Sequence, residues 1–211
     1  MLIIGLTGSI GMGKSAAANT FRSHGIPVCD ADAEVHKLYA TGGRAVAAIE
    51  AAFPGTTTAD GVDRQKLVAL LLADPSGYKR LEAIVHPLVR QVEREFLEAA
   101  QTAGNWAAVL EIPLLFETGG EKFVDATVVV SAPPGLQKAR VMLRPGMTEE
   151  KLTQILSRQW PDAKKRAAAT FVVDTGGTFE FTTAQIVVLL AELKGGKRPA
   201  EAFERHWSRR P

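Results

Sequence analysis

Cysteine is almost missing from this 211-residue chain: Cys29 stands alone. A single thiol forms no intramolecular disulfide, so a disulfide-stapled extracellular scaffold is excluded. Histidine is scarce as well, with four residues, and no cluster of His and Cys has metal-ligand spacing. Charge of one sign is not in excess. With 25 Lys and Arg against 23 Asp and Glu, the formal net charge of +2 is too small to argue for a nucleic-acid partner. No run approaches the roughly 18 apolar residues of a membrane span. The N-terminus also lacks the charged and apolar regions of a cleavable leader. Internal repeats are absent. These gaps leave a soluble, cytoplasmic protein as the expectation, with no membrane or nucleic-acid partner, monomeric or weakly homo-oligomeric.

An apolar content of 46% is ample for a packed core, and the length suits one substantial domain or a core with inserted subdomains. Within it, Gly8-Ser9-Ile10-Gly11-Met12-Gly13-Lys14-Ser15 reads G-x-x-x-x-G-K-S, the phosphate-binding P-loop or Walker A motif. Leu2–Leu6 ahead of it suits a buried strand, and the alanine-rich Ala16–Phe21 behind it suits a helix. Glycines let backbone N–H groups wrap a polyphosphate, and the opening helix adds its positive dipole end. Gly8, Gly11, Met12, Gly13, Lys14, Ser15 and Ala16 are therefore the candidate nucleotide-binding residues. Lys14 would reach the β- and γ-phosphates, and the Ser15 hydroxyl would ligate Mg²⁺. ATP and Mg²⁺ are the implied cofactors.

A second strand, Ile26–Cys29, delivers Asp30-Ala31-Asp32 to the carboxyl rim of the sheet, where ligands of open α/β folds collect. Asp30 can cap the following helix, Ala31–Tyr39, which leaves a carboxylate of the pair to accept a proton from a substrate hydroxyl during phosphoryl transfer. Residues 43–103 read as helices without a strand, with His86-Pro87 breaking one helix and starting the next. His86 is open to a packing or capping role as well as a functional one. Trp106–Ile112 is a third strand, in which Glu111 is costly to bury unless paired or facing the site. Ala126–Ser131 and Phe171–Asp174 complete five strands. Thr148 is a candidate N-cap for a helix with Glu149 and Glu150 in its first turn. The lysines and arginines between 138 and 166 suggest a lid over a phosphate donor, although solvated surface is the simpler reading for any one of them. Residues beyond 195 show charge without apolar periodicity, which predicts a frayed or disordered basic tail, 196–211.

The chain resembles the dephospho-coenzyme A kinase family from residue 1 to about residue 190. The resemblance is carried by Gly5–Ser15, Asp30-Ala31-Asp32, His86-Pro87, Pro113-Leu114-Leu115-Phe116-Glu117, and Phe171–Asp174 followed by a glycine turn. It implies transfer of the ATP γ-phosphoryl group to the ribose 3′-hydroxyl of dephospho-CoA, the last step of coenzyme A synthesis. It also implies an α/β fold of the P-loop nucleotide-kinase type, a five-stranded parallel sheet flanked by helices with an acceptor-binding helical insertion and a lid. On this chain the core would be 1–42, 104–140 and 168–195, the acceptor subdomain 43–103 and the lid 141–167. Asp32 falls on the family's proposed base, and Lys14 and Arg140 would act with it in catalysis. His86, Pro113, Leu114 and Glu117 fall on the acceptor side, and Arg144 joins the ATP contacts.

Some positions depart from the family pattern. His36 stands where an arginine is frequent, Glu111 where an aspartate is common, and Ala16 where a threonine follows the P-loop serine. The alternative is another small-molecule P-loop kinase, of nucleoside monophosphate or shikimate type. A GTP switch would need N-K-x-D and a motor ATPase a strand-ending D-E pair, and the chain has neither.

Overall fold

The structure is a computed structural model that describes residues 1–196 and 199–208. By their contacts the residues form two compact units. The first joins Met1–Cys29 to the described residues from Leu97 onward, and the second is Asp30–Phe96. The unit boundaries fall at 29/30 and 96/97, whereas the sequence reading places the edges of the helical insertion at 43 and 103.

The first unit is built on a five-stranded parallel sheet flanked by helices, in the order β2-β5-β1-β6-β7. The strands are β1 (Leu2–Thr7), β2 (Val28–Asp30), β5 (Ala107–Glu111), β6 (Ala126–Ser131) and β7 (Phe171–Asp174). β1 pairs in parallel with β5 and β6, and β6 with β7. Every residue of β1, β5 and β6 is buried, as expected for strands of a parallel sheet covered on both faces. Alternate residues Leu2, Ile4, Leu6, Val109, Val128 and Val130 share one apolar cluster with α1 (Lys14–Ser23) and α9 (Phe179–Lys194). Ala17, Ala18 and Phe21 of α1 and Ile186, Leu189 and Leu193 of α9 fill it. Between β6 and β7 lie α6 (Pro134–Met142), α7 (Glu149–Leu156) and α8 (Asp162–Ala168). Thr148 caps α7, its hydroxyl accepting from Lys151 N at 3.3 Å.

The second unit holds α2 (Ala31–Tyr39), α3 (Val46–Ala52), the short hairpin β3 (Thr57–Thr58) and β4 (Gly61–Val62), α4 (Arg64–Ala73) and most of α5 (Gly77–Thr102). Leu38, Ile49, Phe53, Leu67, Leu71 and Val85 form its core. Two expectations fail here. The segment 43–103 is not strand-free: Thr57 pairs with Val62 and Thr58 with Gly61 around a two-residue turn. Proline also does not break the helix. α5 runs through Pro87 without interruption. Ala83, whose carbonyl lost its partner, His86 and Pro87 itself are all exposed, so water can satisfy that carbonyl and the usual cost falls.

The described part of the C-terminal segment is ordered, contrary to the expectation of fraying. Phe203–Trp207 form a wide helical turn, with Phe203 and Trp207 buried. The Trp207 indole N–H donates to Phe123 O at 2.8 Å, and Asp125 Oδ1 accepts from Glu201 N and Ala202 N at 2.8 and 2.7 Å. Two aromatic anchors four residues apart hold a segment too short and too charged for periodicity to stand out. Residues 197–198 and 209–211 of the expected tail lie outside the described residues.

Candidate active site

The P-loop links β1 to α1 in the first unit. Gly11 and Gly13 have φ of 78° and 82°, left-handed values that side chains resist. A Cβ on Gly8 would lie 2.4 Å from Val130 Cγ2, so the loop must also be bare where it crosses β6. Gly13 caps α1 without a side-chain hydrogen bond, and the first turn carries no acidic residue. Its N–H groups are therefore left for an anion. The Ser15 side chain is exposed and makes no hydrogen bond to the described residues, which suits a metal ligand. Ala16 beside it is exposed too.

Lys14 is engaged. Its ammonium donates to Glu111 Oε1 at 2.6 Å, and the Glu111 side chain is only 2% exposed. This accounts for a charged residue at the end of an otherwise apolar strand. β5 lies beside β1 and brings the carboxylate to the loop. Thr175, just past β7, places its hydroxyl 2.8 Å from Met12 O and 3.1 Å from Ser131 O. Arg140 donates to Thr175 O at 2.8 Å, which fixes its guanidinium beside the loop's support, while Arg144 is exposed on the turn after α6. Both backbone groups of Ile10 are held: Gln159 Oε1 accepts from Ile10 N at 3.2 Å, and Gln137 Nε2 donates to Ile10 O at 2.8 Å.

The loop after β5 carries Pro113, Leu114 and Glu117. Thr7 Oγ1 donates to Pro113 O at 3.1 Å, so this loop is tied to the end of β1. Leu115 and Phe116 are buried beneath it, and Leu114 is half-buried. Glu117 Oε1 accepts from Trp160 N at 2.6 Å and pairs with Lys165 at 2.9 Å, and Glu117 Oε2 is buried without a partner. Lys165 is fully buried, contrary to the surface reading of the basic cluster. Phe116 stacks on Trp160 with centroids 5.7 Å apart. No group of three or more His, Cys, Asp or Glu among the described residues could hold a metal by itself.

The second unit carries the remaining candidates. Asp30 is the cap of α2, its Oδ1 accepting from Ala33 N at 3.1 Å. Asp32 is exposed in the first turn of the same helix and makes no hydrogen bond or ion pair with the described residues. Asp30 thus caps α2 as the sequence predicts. His86 is exposed on α5. His36 Nε2 lies 3.1 Å from an Arg64 guanidinium nitrogen. Elsewhere on α5, burial pushes the Glu93 carboxyl up to about 7, against the pull of Arg90.

A family model described as dephospho-CoA kinase matches residues 2–180. The chain belongs to the dephospho-CoA kinase family. Relatives span nearly its whole length. A Brucella melitensis dephospho-CoA kinase is 52% identical over 202 residues, covering 96% of this chain and 99% of that protein. A Bradyrhizobium diazoefficiens dephospho-CoA kinase is 55% identical over 193 residues, covering 92% and 96%. Among solved structures, TT1252 from Thermus thermophilus aligns with a TM-score of 0.80 at 37% identity, covering 91% of this chain and 97% of that one. Among the residues that hold this region together, sequence reasoning did not single out Thr175, Gln137 or Gln159, and it read Lys165 as surface. Only Thr175 had a signal, its place at a strand's carboxyl end. The others depend on partners remote in sequence.

Proposed function

We propose that this protein transfers the γ-phosphoryl group of ATP to the ribose 3′-hydroxyl of dephospho-CoA, giving CoA and ADP. The observation that carries the reading is the 52% identity to a dephospho-CoA kinase across 96% of the chain and 99% of that relative. The first unit supplies a donor site that suits ATP. Phosphoryl transfer asks for alignment and charge stabilisation more than covalent chemistry. Gly8–Ala16 give backbone N–H groups, and the ammonium of Lys14 waits on Glu111 until phosphate oxygens compete for it. Arg140 and Arg144, on and just after α6, add cations where charge develops on the transferring group. Mg²⁺ would be held by Ser15 together with phosphate oxygens and water, neutralising the phosphates during transfer.

The acceptor assignments belong to the same proposal. Asp32, a free carboxylate on α2, is the base that orients the 3′-hydroxyl and takes its proton. His86 and the loop with Pro113, Leu114 and Glu117 bind the dephospho-CoA. Residues 43–103 are the acceptor-binding part, and residues 141–167 form a lid over the donor. A cytoplasmic location fits the absence, among the described residues, of any helix long and apolar enough to cross a membrane.

The test is a coupled assay of ADP release with dephospho-CoA, AMP and shikimate as separate acceptors. Turnover with dephospho-CoA at least a hundredfold above the others supports the reading. Preferred use of AMP or shikimate would replace it.

A further inference from the structure

The seven residues Gln159–Lys165 touch two separate loops and the end of a strand at the carboxyl edge of the sheet. Gln159 Oε1 takes the N–H of Ile10 in the P-loop at 3.2 Å. Trp160 gives its own N–H to Glu117 at 2.6 Å and stacks its ring on Phe116, in the loop after β5. Asp162 accepts from the Ser131 hydroxyl at the end of β6, at 2.8 Å. Lys165, fully buried, returns to the β5 loop through Glu117 at 2.9 Å and Pro113 O at 3.4 Å. A surface helix start needs none of these contacts.

We propose that residues 159–165 are a bracket that couples the donor loop to the acceptor loop, with Gln159 as the positioning residue at its donor end. The inference rests on the acceptor reading of Pro113–Glu117 given above. Glu117 is the acceptor end. Its Oε1 is taken up by the bracket, and its buried Oε2 has no partner. A carboxylate oxygen left buried and unpaired is a costly arrangement, which a shift of Glu117 towards a donor on a bound molecule relieves. Movement of Glu117 on acceptor binding passes to Trp160 and Lys165 through a short hydrogen bond and a buried ion pair. From Trp160 it reaches Gln159 along one peptide, and from Gln159 the Ile10 peptide. Gln137 holds the carbonyl of Ile10 at 2.8 Å, so a pull on its N–H tilts the P-loop rather than displacing it. Coupling carried by one net hydrogen bond is on the order of fivefold in affinity.

The experiment measures the Kd of a non-hydrolysable ATP analogue with and without saturating dephospho-CoA. Wild type, Gln159→Met and Glu117→Gln are compared, with unfolding curves confirming that each is folded. Gln159→Met keeps the length of the side chain and removes its acceptor oxygen, at a half-buried position. The bracket predicts that dephospho-CoA tightens analogue binding about fivefold in wild type. The tightening falls below twofold in Gln159→Met and is reduced in Glu117→Gln, whatever happens to affinity for either ligand alone. Equal affinities in wild type with and without dephospho-CoA, or full tightening in Gln159→Met, would overturn the proposal. A merely structural role would lower stability and leave the tightening intact, which also overturns it. Wild-type turnover, measured alongside, separates the two readings. If dephospho-CoA is phosphorylated but the tightening is absent or unaffected, only the bracket falls. If dephospho-CoA is not phosphorylated, the substrate reading falls and takes this coupling with it.

Discussion

Replacing Lys165 by Met removes one charge from the ion pair with Glu117 and keeps most of the volume. The Lys165 side chain is 0% exposed and that of Glu117 11%, so neither charge has much water to fall back on. Breaking a buried pair by deleting one partner costs about 3–5 kcal/mol, because the remaining charge is stranded. The lower end applies here, since Glu117 Oε1 keeps the N–H of Trp160 at 2.6 Å and Met keeps the apolar contacts of the lysine stem. The expected loss is about 3 kcal/mol. For a chain of this size that lowers Tm by roughly 6–12 °C. Urea denaturation followed by fluorescence measures it directly. The double variant Lys165→Met/Glu117→Gln removes the stranded charge and preserves an oxygen for Trp160, so it should be more stable than the single variant by at least about 1 kcal/mol. A single-variant loss below about 1 kcal/mol, or a double variant no better than the single one, would refute the argument that this is a buried pair under desolvation.

Three further outcomes follow from the site. Asp32→Asn should lower kcat by on the order of 10²–10⁴ with ATP affinity nearly unchanged, the signature of a lost base; near wild-type turnover would remove Asp32 from that role. Lys14→Ala should weaken both nucleotide binding and turnover, since it deletes the phosphate cation and strands Glu111, and steady-state kinetics with an ATP titration reads both. Glu93 gives the pH dependence. Its carboxyl titrates near 7 in the folded protein against 4.5 ordinarily, so between these values the folded state binds the extra proton. Stability is then highest below about pH 4.5 as far as this group is concerned, falls as pH rises to about 7, and levels off above it. The contribution is at most about 3 kcal/mol. Glu93→Gln should flatten that slope in denaturation curves taken at pH 5 to 8, and an unchanged slope would contradict the burial argument.

Much of the donor side was legible because its chemistry is local. A strand, a glycine loop and a helix start lie consecutively in the chain, and the backbone demands of Gly11 and Gly13 are written in their residue types. The Asp-Ala-Asp pair was legible too, because the aspartate that directly precedes a helical run is its natural cap, and Asp30 caps α2 as expected. Lys165 was not legible at all. It is one of three consecutive cations in α8, and what distinguishes it is Glu117, which the fold brings from another loop. Gln159 and Gln137 are hidden for the same reason, as neutral side chains whose importance lies in the Ile10 backbone. Pro87 misled because helix breaking assumes a buried or unsolvated carbonyl, whereas α5 exposes that turn. Trp207 misled in the opposite sense. Polar neighbours masked an anchor whose partner, Phe123, lies before β6.

The most direct test of the account is the identity of the product made from ATP and dephospho-CoA by the purified protein. Phosphorus NMR and mass spectrometry should show one equivalent of ADP and a nucleotide carrying a new monoester on the ribose 3′-oxygen, indistinguishable from CoA. ADP formed without a phosphorylated dephospho-CoA, or a phosphate placed on any other oxygen, would contradict it.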